Sequence, residues 1–168
     1  MEKAVRLVLM LHAYMFMQSG IPVLYSGDEI GQVNDYSYKE DPNKAVDSRY
    51  LHRGAMKWEL AKNIQDADTV EGKIFQGLDR LEKIRKAEKA FVTEADAWVV
   101  ETLDQAVLGM GRYYDGEKLI GLFNFSEYDR VARICENDED YEDLLSGKEI
   151  KTAEVRIPAY GFCYLKRM

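Results

Sequence analysis

The sequence predicts an α+β fold: a helix–strand–helix unit followed by an antiparallel β domain. Three observations carry this. An apolar run of helical length, about residues 3–18, leads through Ser19-Gly20 into a short continuous apolar run at 22–26. A second segment places Ile74, Leu78, Leu81 and Ile84 at helical spacing. From about residue 91 onward the chain breaks into short alternating segments divided by turn-like stretches.

The first run, "AVRLVLMLHAYMFMQ", is apolar almost all round a helix. Such a helix is normally buried between layers. It follows a Lys and contains an Arg, which gives it a faint likeness to a signal peptide. It lacks an A-x-A-like cleavage site and is too short to span a bilayer, so no membrane association is expected. Ser19-Gly20 and Pro22 stop it. The next run, "PVLYS", shows no alternation, as expected of a strand covered on both faces. A helix, a tight turn and a doubly covered strand form the repeating unit of a parallel α/β fold. No earlier element is available to bury one side of the helix. Leu7, Leu11, Tyr14 and Met15 are therefore expected to be exposed, and with the open edges at 22–26 to drive self-association.

A long polar loop runs from Asp28 to about Asn63; loops of this length are usually functional. The second helix follows, with Asp66 or Asp68 as its expected cap and basic residues in its last turn. In the β-rich part, "AWVVETL", "AVLGMGRYY", "KLIGLFNF", "RVARIC", "EVRIPAY" and "FCYLKRM" are the expected strands of a sandwich or barrel. "DGEK" and "LSGKE" are turns, and Gly109 and Gly111 inside a strand mark close packing or a bulge. The acidic run 136–145, "ENDEDYEDLL", reads as a solvated loop.

The 168 residues carry a net charge of -7 and no basic stripe, which argues against nucleic acid or anionic lipid as partner. Cys135 and Cys163 lack metal-ligand spacing and are expected to be buried free thiols in a cytoplasmic protein. No Walker, dinucleotide or G-x-S-x-G motif occurs, and His12 and His52 make no zinc site, so no cofactor or metal is expected. His12 reads as a core histidine with a satisfied ring.

Asp28 and Glu29 are adjacent at the end of the predicted strand. Neighbouring strand residues point to opposite faces, so the two cannot act on one sugar as a glycosidase pair. The loop "DPNKAVDSRYLHR" is richer. It combines Asp41, Asp47, Arg49, His52 and Arg53 with Tyr36, Tyr38 and Tyr50 nearby. Carboxylates and guanidinium forks bind hydroxyl groups and aromatic faces stack on sugar rings, so the mixture suits a polyhydroxylated ligand. The alternative is a loop that satisfies itself through Asp–Arg pairs.

"GIPVLYSGDEIG" resembles the last-strand motif of the α-amylase superfamily, roughly G-x-P-x-x-Y-x-G-[DE]-E. The stretch "GDEIGQVNDYSYKEDPNKAVDSRYLHR" is similar to the loop of amylosucrases and their sucrose-acting relatives. "GKIFQGLDRLEKIRKAEKAF" resembles the final barrel helix, and "LFNFSEY" a strand of the C-terminal sandwich. The resemblance covers nearly the whole chain. It implies a (β/α)8 barrel followed by an antiparallel β-sandwich. Residues 1–90 would be the last (β/α) unit of a truncated barrel with an active-site loop at 28–63, and 91–168 the C-terminal all-β domain.

The resemblance also implies retaining chemistry on sucrose or an α-glucan, through an Asp nucleophile, a Glu acid/base and a second, stabilising Asp. In the family these follow the fourth, fifth and seventh strands. This chain would begin at the helix after the seventh, so none of the three is expected here and the chain alone is expected to be inactive. A barrel of this kind needs about 200 residues or more, and only some 90 precede the β-rich part. The expectation is a C-terminal part of a larger enzyme; the alternative is a non-catalytic β-sandwich module for stability or glucan binding. Arg49, in "DSR", matches the arginine that forms a salt bridge at the bottom of the glucosyl pocket. With that partner absent, Arg49 is expected to be solvated or paired with Asp47 or Asp28. Asn34, Asp35, Tyr36 and His52 match positions lining the acceptor side. Ser26 and Gly54 depart from the family pattern.

Overall fold

A computed structural model describes residues 1–135 and 140–168. The chain forms two compact units, one from Met1–Pro22 with Leu78–Met168 and one from Val23–Gly77. The fold is α+β, mostly antiparallel sheet with two α-helices, and no helix among the described residues is long and apolar enough to cross a membrane.

In the first unit, helix α1 (Glu2–Met17) buries Val5, Met10, Ala13, Phe16 and Met17 along one stripe. The strands are β1 (Asp96–Val100), β2 (Val107–Tyr114), β3 (Glu117–Asn124), β4 (Arg130–Ala132), β5 (Asp140–Asp143), β6 (Lys148–Lys151), β7 (Val155–Ile157) and β8 (Phe162–Arg167). Six of them make one sheet in the order β1-β2-β3-β8-β5-β6, and β4 and β7 pair as a separate ribbon. Every pairing is antiparallel.

The period of two sorts the side chains of this sheet. Val100, Val107, Ile120, Leu122, Tyr141 and Leu165 join Ala132, Val155 and Ile157 of the ribbon in one core. The alternate residues Phe123 and Tyr164 face the other way, toward α1. The Tyr14 ring meets Phe123 edge-on at 5.6 Å, and the Tyr164 hydroxyl donates to the Ala13 carbonyl at 2.7 Å. Strand β3 is thus covered on both faces, which explains its unbroken apolar run.

The two tight connections form where the sequence places them. Asp115 (φ 47°) and Gly116 (φ 85°) make the two-residue turn between β2 and β3, both in the left-handed region such hairpins require. At the β5–β6 turn the Asp143 carboxylate accepts from the Leu145 and Ser146 backbone and from the Ser146 hydroxyl. Of the two readings of Gly109 and Gly111, the structure shows close packing. The ladder runs unbroken through both, Gly111 pairs with Trp98, and a Cβ at Gly111 would stand 2.2 Å from the indole.

Several expectations are corrected. Of the four residues expected to be exposed on α1, only Leu11 is; Leu7, Tyr14 and Met15 are half-buried. The rings that cover Tyr14, those of Phe123 and Phe125, are encoded some hundred residues later. The acidic run is not a loop throughout. Residues 136–139 lie outside the described part, but 140–143 form β5 with Tyr141 and Asp143 buried. The two inward positions alternate with charge, and the acidic composition hid that alternation. Strand β6, "KEIK", has a single apolar residue and was equally hidden. Both cysteines are free, but Cys135 is exposed; Cys163 packs against the core. His12 is half-buried and its Nδ1 bonds the Val8 carbonyl at 2.8 Å.

In the second unit the strand expected at 22–26 does not form. Those residues are coil, with Val23 and Tyr25 exposed, and no described strand lies alongside. A parallel strand exists only through hydrogen bonds to its neighbours, so the apolar run alone could not make one. The loop beyond it is built of four short 3-10 turns, Asp28–Ile30, Tyr36–Glu40, Ser48–His52 and Leu60–Asn63. Helix α2 (Val70–Ala87) follows; Val70–Gly77 belong to this unit and the rest to the first. Its cap is Thr69, whose hydroxyl accepts from the Gly72 N–H at 3.0 Å, rather than Asp66 or Asp68. The Asp66 carboxylate instead accepts from the Asp68 N–H.

Candidate functional site

All five residues singled out by the sequence lie in the Val23–Gly77 unit, on its 3-10 turns and the links between them. Asp and Asn at turn starts favour such local structure because their short side chains accept from backbone N–H groups two residues on. Asp35 accepts from the Ser37 N–H at 2.9 Å and its hydroxyl at 2.6 Å, which opens the turn Tyr36–Glu40. These two bonds hold its carboxyl below the usual carboxylate range. Asp47 does the same for Ser48–His52, accepting from the Arg49 N–H at 3.0 Å. The two turns are tied by the Asp35 N–H donating to the Leu51 carbonyl.

Within this frame the structure brings Asn34 and His52 together. His52 Nδ1 lies 3.0 Å from Asn34 Oδ1, an arrangement in which Nδ1 donates and Nε2 is left as the acceptor. The two line a recess of about 60 Å³ with Tyr25, Ser26, Asp28 and Gln32. That is space for about two waters at ~30 Å³ each, well short of the ~300 Å³ at which ligand pockets begin. Tyr36 stands outside it, exposed, with Lys39 over its ring at 6.0 Å. A wider, open groove of about 710 Å³ runs along Val99–Gly109 and Phe125 in the other unit and holds none of the predicted residues.

Arg49 is turned to its own turn. Its Nε and Nη2 fork onto Asp47, at 2.8 Å to Oδ1 and 2.7 Å to Oδ2, with the Arg49 side chain 71% exposed. The Arg49 side chain, then its backbone N–H, hold the Asp47 carboxyl at about 2. The depressed value means that the pairing is complete above the ordinary carboxylate range and is lost as pH falls through about 2. The Asp47 carboxyl carbon, followed by NMR, is expected to titrate near 2, and in Arg49→Ala to move up toward 3.8. A wild-type midpoint already near 3.8 would mean that the fork does not persist in solution.

Asp28 and Glu29 are not on a strand, so the expectation that they point to opposite sheet faces is corrected. They sit in the turn Asp28–Ile30, entered by Gly27 at φ 103°, and Glu29 accepts from the Gly27 N–H at 2.8 Å. One organising residue was missed. The Gln32 side chain donates to the Gly54 and Ala55 carbonyls and accepts from the Lys57 N–H at 3.1 Å. Its bonds reach more than twenty residues along the chain, and no local pattern announces them. Gly54 fits this junction because a Cβ there would stand 2.9 Å from Asp35 Cβ.

No family model matches the chain. In sequence it is homologous to glucosylglycerate phosphorylase of Escherichia coli (strain K12), 24% identical over 168 residues. The alignment takes in 98% of this chain and 29% of the relative, so the chain spans under a third of that protein's length. The fold is shared with solved α-amylase-family structures. The trehalulose synthase MutB from Pseudomonas mesoacidophila MX-45 superposes with a TM-score of 0.71 at 16% identity, over 97% of this chain and 38% of that one. An Anoxybacillus alpha-amylase gives 0.68 at 19% identity, over 98% and 32%. The maltogenic amylase from S. marinus gives 0.65 at 23%, over 96% and 19%.

Proposed function

We propose that this chain is the C-terminal part of a retaining α-amylase-superfamily enzyme that transfers or releases α-glucosyl units from sucrose or another α-glucoside. The observation that carries the reading is the sequence relationship to a glucosylglycerate phosphorylase along 98% of the chain. The motif "GDEIGQVND…DSRYLHR" supports it independently. The relative's name adds phosphate to water and sugars as an acceptor of the glucosyl unit. In this reading Asn34, Asp35, Tyr36, Arg49 and His52 form one wall of a glucosyl pocket. The reacting Asp, Glu and Asp come from the part of the protein that the relative has and this alignment does not reach. The 60 Å³ recess fits that role, as one side of a pocket rather than the whole of it. Asn34 and His52 already hold each other in place to meet a hydroxyl.

Reading the gene upstream of Met1 tests this. An in-frame coding segment carrying the Asp, Glu and Asp of a barrel supports it, with no turnover expected from the purified 168-residue chain. Turnover of sucrose, maltooligosaccharides or glucosylglycerate with phosphate by that chain would overturn the division of labour. An upstream sequence without such a barrel would favour a non-catalytic module. In that case maltooligosaccharides should quench Trp58 or Trp98 saturably if the module binds glucan, and leave them unchanged if it serves stability. Self-association belongs to the same proposal: Ile21, Val23 and Tyr25 are exposed on an extended segment. Light scattering should report a mass above the monomer, and a monodisperse monomer would count against it.

A further inference from the structure

The last turn of any helix leaves carbonyls without partners. Helix α1 has no basic residue there, and Gln18 behind it is extended rather than left-handed. Even so, carbonyls at this end find donors in side chains from far along the chain. Arg112 Nη1 donates to the Met17 carbonyl at 3.0 Å. Arg85 donates to the carbonyls of Phe16 and Gly20. The Tyr164 hydroxyl takes the carbonyl of Ala13. Arg112 also donates through Nε to Ala90 at 2.6 Å and through Nη2 to Val92 at 2.7 Å, and is fully buried.

A buried guanidinium held by carbonyls is an expensive way to make an apolar contact. What it adds is direction. The fork donates only to oxygens near one plane, and two cations favour the negative end of a helix dipole over its positive end. The sheet is cut to match: a Cβ on Gly121 would lie 3.0 Å from Met17 Cγ, so the bare backbone there admits the helix end.

We infer that the face of the six-stranded sheet opposite the β4–β7 ribbon is a docking site for the C-terminal end of α1, fastened by Arg112 of β2 on the Met17 carbonyl and by Tyr164 of β8 on the Ala13 carbonyl, with Arg85 of α2 steadying the same helix end from its own side. Resting on the reading given above, in which α1 belongs to the catalytic part, this lock is what joins the β domain to that part. Arg112 is a positioning residue, remote from the reacting atoms.

Hydrogen exchange on the full 168-residue chain tests the lock. Arg112→Lys keeps the charge and removes the fork. Amides 14–18 of α1 should then exchange at least tenfold faster, with those of β3 within twofold of wild type. Tyr164→Phe, which removes the other bond from the sheet to α1, should act the same way and serves if Arg112→Lys does not fold. Equal acceleration in α1 and β3 would mean that Arg112 stabilises the unit as a whole, and no change in α1 would mean that apolar packing alone holds it; either overturns the lock. The exchange result does not depend on carbohydrate chemistry. A lock found in a protein whose gene encodes no upstream barrel would overturn its interdomain role and the glucosyl reading, while the contact itself would stand.

Discussion

Arg112→Met is expected to weaken the seat of the α1 end on the sheet by about 3 kcal/mol, read by hydrogen exchange as a lower opening free energy at amides 14–17 with β3 close to wild type. Methionine keeps most of the apolar stem but leaves the carbonyls of Met17 and Ala90 without their donor, while that of Val92 keeps the Ala95 N–H. Each buried acceptor left unsatisfied costs roughly 1–3 kcal/mol. Relief of the guanidinium's own desolvation offsets part of that sum. Burial, with the neighbouring Arg85 charge adding to it, already pushes the Arg112 pKa down, which is the mark of that desolvation. A loss below about 1 kcal/mol would mean that water replaces the fork and that the burial is less complete in solution.

Phe123→Ala is expected to cost about 3–5 kcal/mol, the range for emptying a buried aromatic site. Phe123 is wholly buried on β3, with the rings of Tyr14 and Tyr164 set edge-on at 5.6 and 6.4 Å. Those rings are anchored, Tyr164 through its bond to Ala13, so the site cannot collapse onto the cavity. The loss should reach β3 itself as well as the α1 seat that Arg112→Met loosens. The two effects should not add fully, since both remove what holds α1 to one sheet face. A cost under about 1.5 kcal/mol would show that α1 repacks and that its seat on the sheet is not specific.

Local patterns carried much of the architecture. Helix α2 follows from the spacing of Ile74, Leu78 and Leu81, all buried as expected. Strands β1, β2, β3 and β8 follow from apolar segments between turn residues, and Asp115-Gly116 placed one hairpin turn. Strand β5 escaped notice because burial of two residues in an acidic stretch decides it, beside β8, and β6 because it has one apolar residue and is set by pairing with β5. The segment at 22–26 failed in the opposite direction: its composition says strand, but composition cannot supply a neighbouring edge. In the candidate site, "DSRYLHR" pointed to the stretch that folds into the turn Ser48–His52 opened by Asp47. The pairing of Arg49 with Asp47 was among the outcomes expected; that Asn34 meets His52 and that Gln32 stitches the loop were not legible, because each is a matter of distance between side chains.

By itself, the sequence determined the α+β class, both helices, the turns and the family likeness, since periodicity, turn chemistry and motif are properties of neighbouring residues. The tertiary structure decided where α1 ends up and how it stops. Its termination rests on guanidiniums at Arg85 and Arg112, 65 to 95 residues away along the chain. No local rule reaches that far, because a backbone carbonyl is satisfied by whatever donor the fold brings within 3 Å.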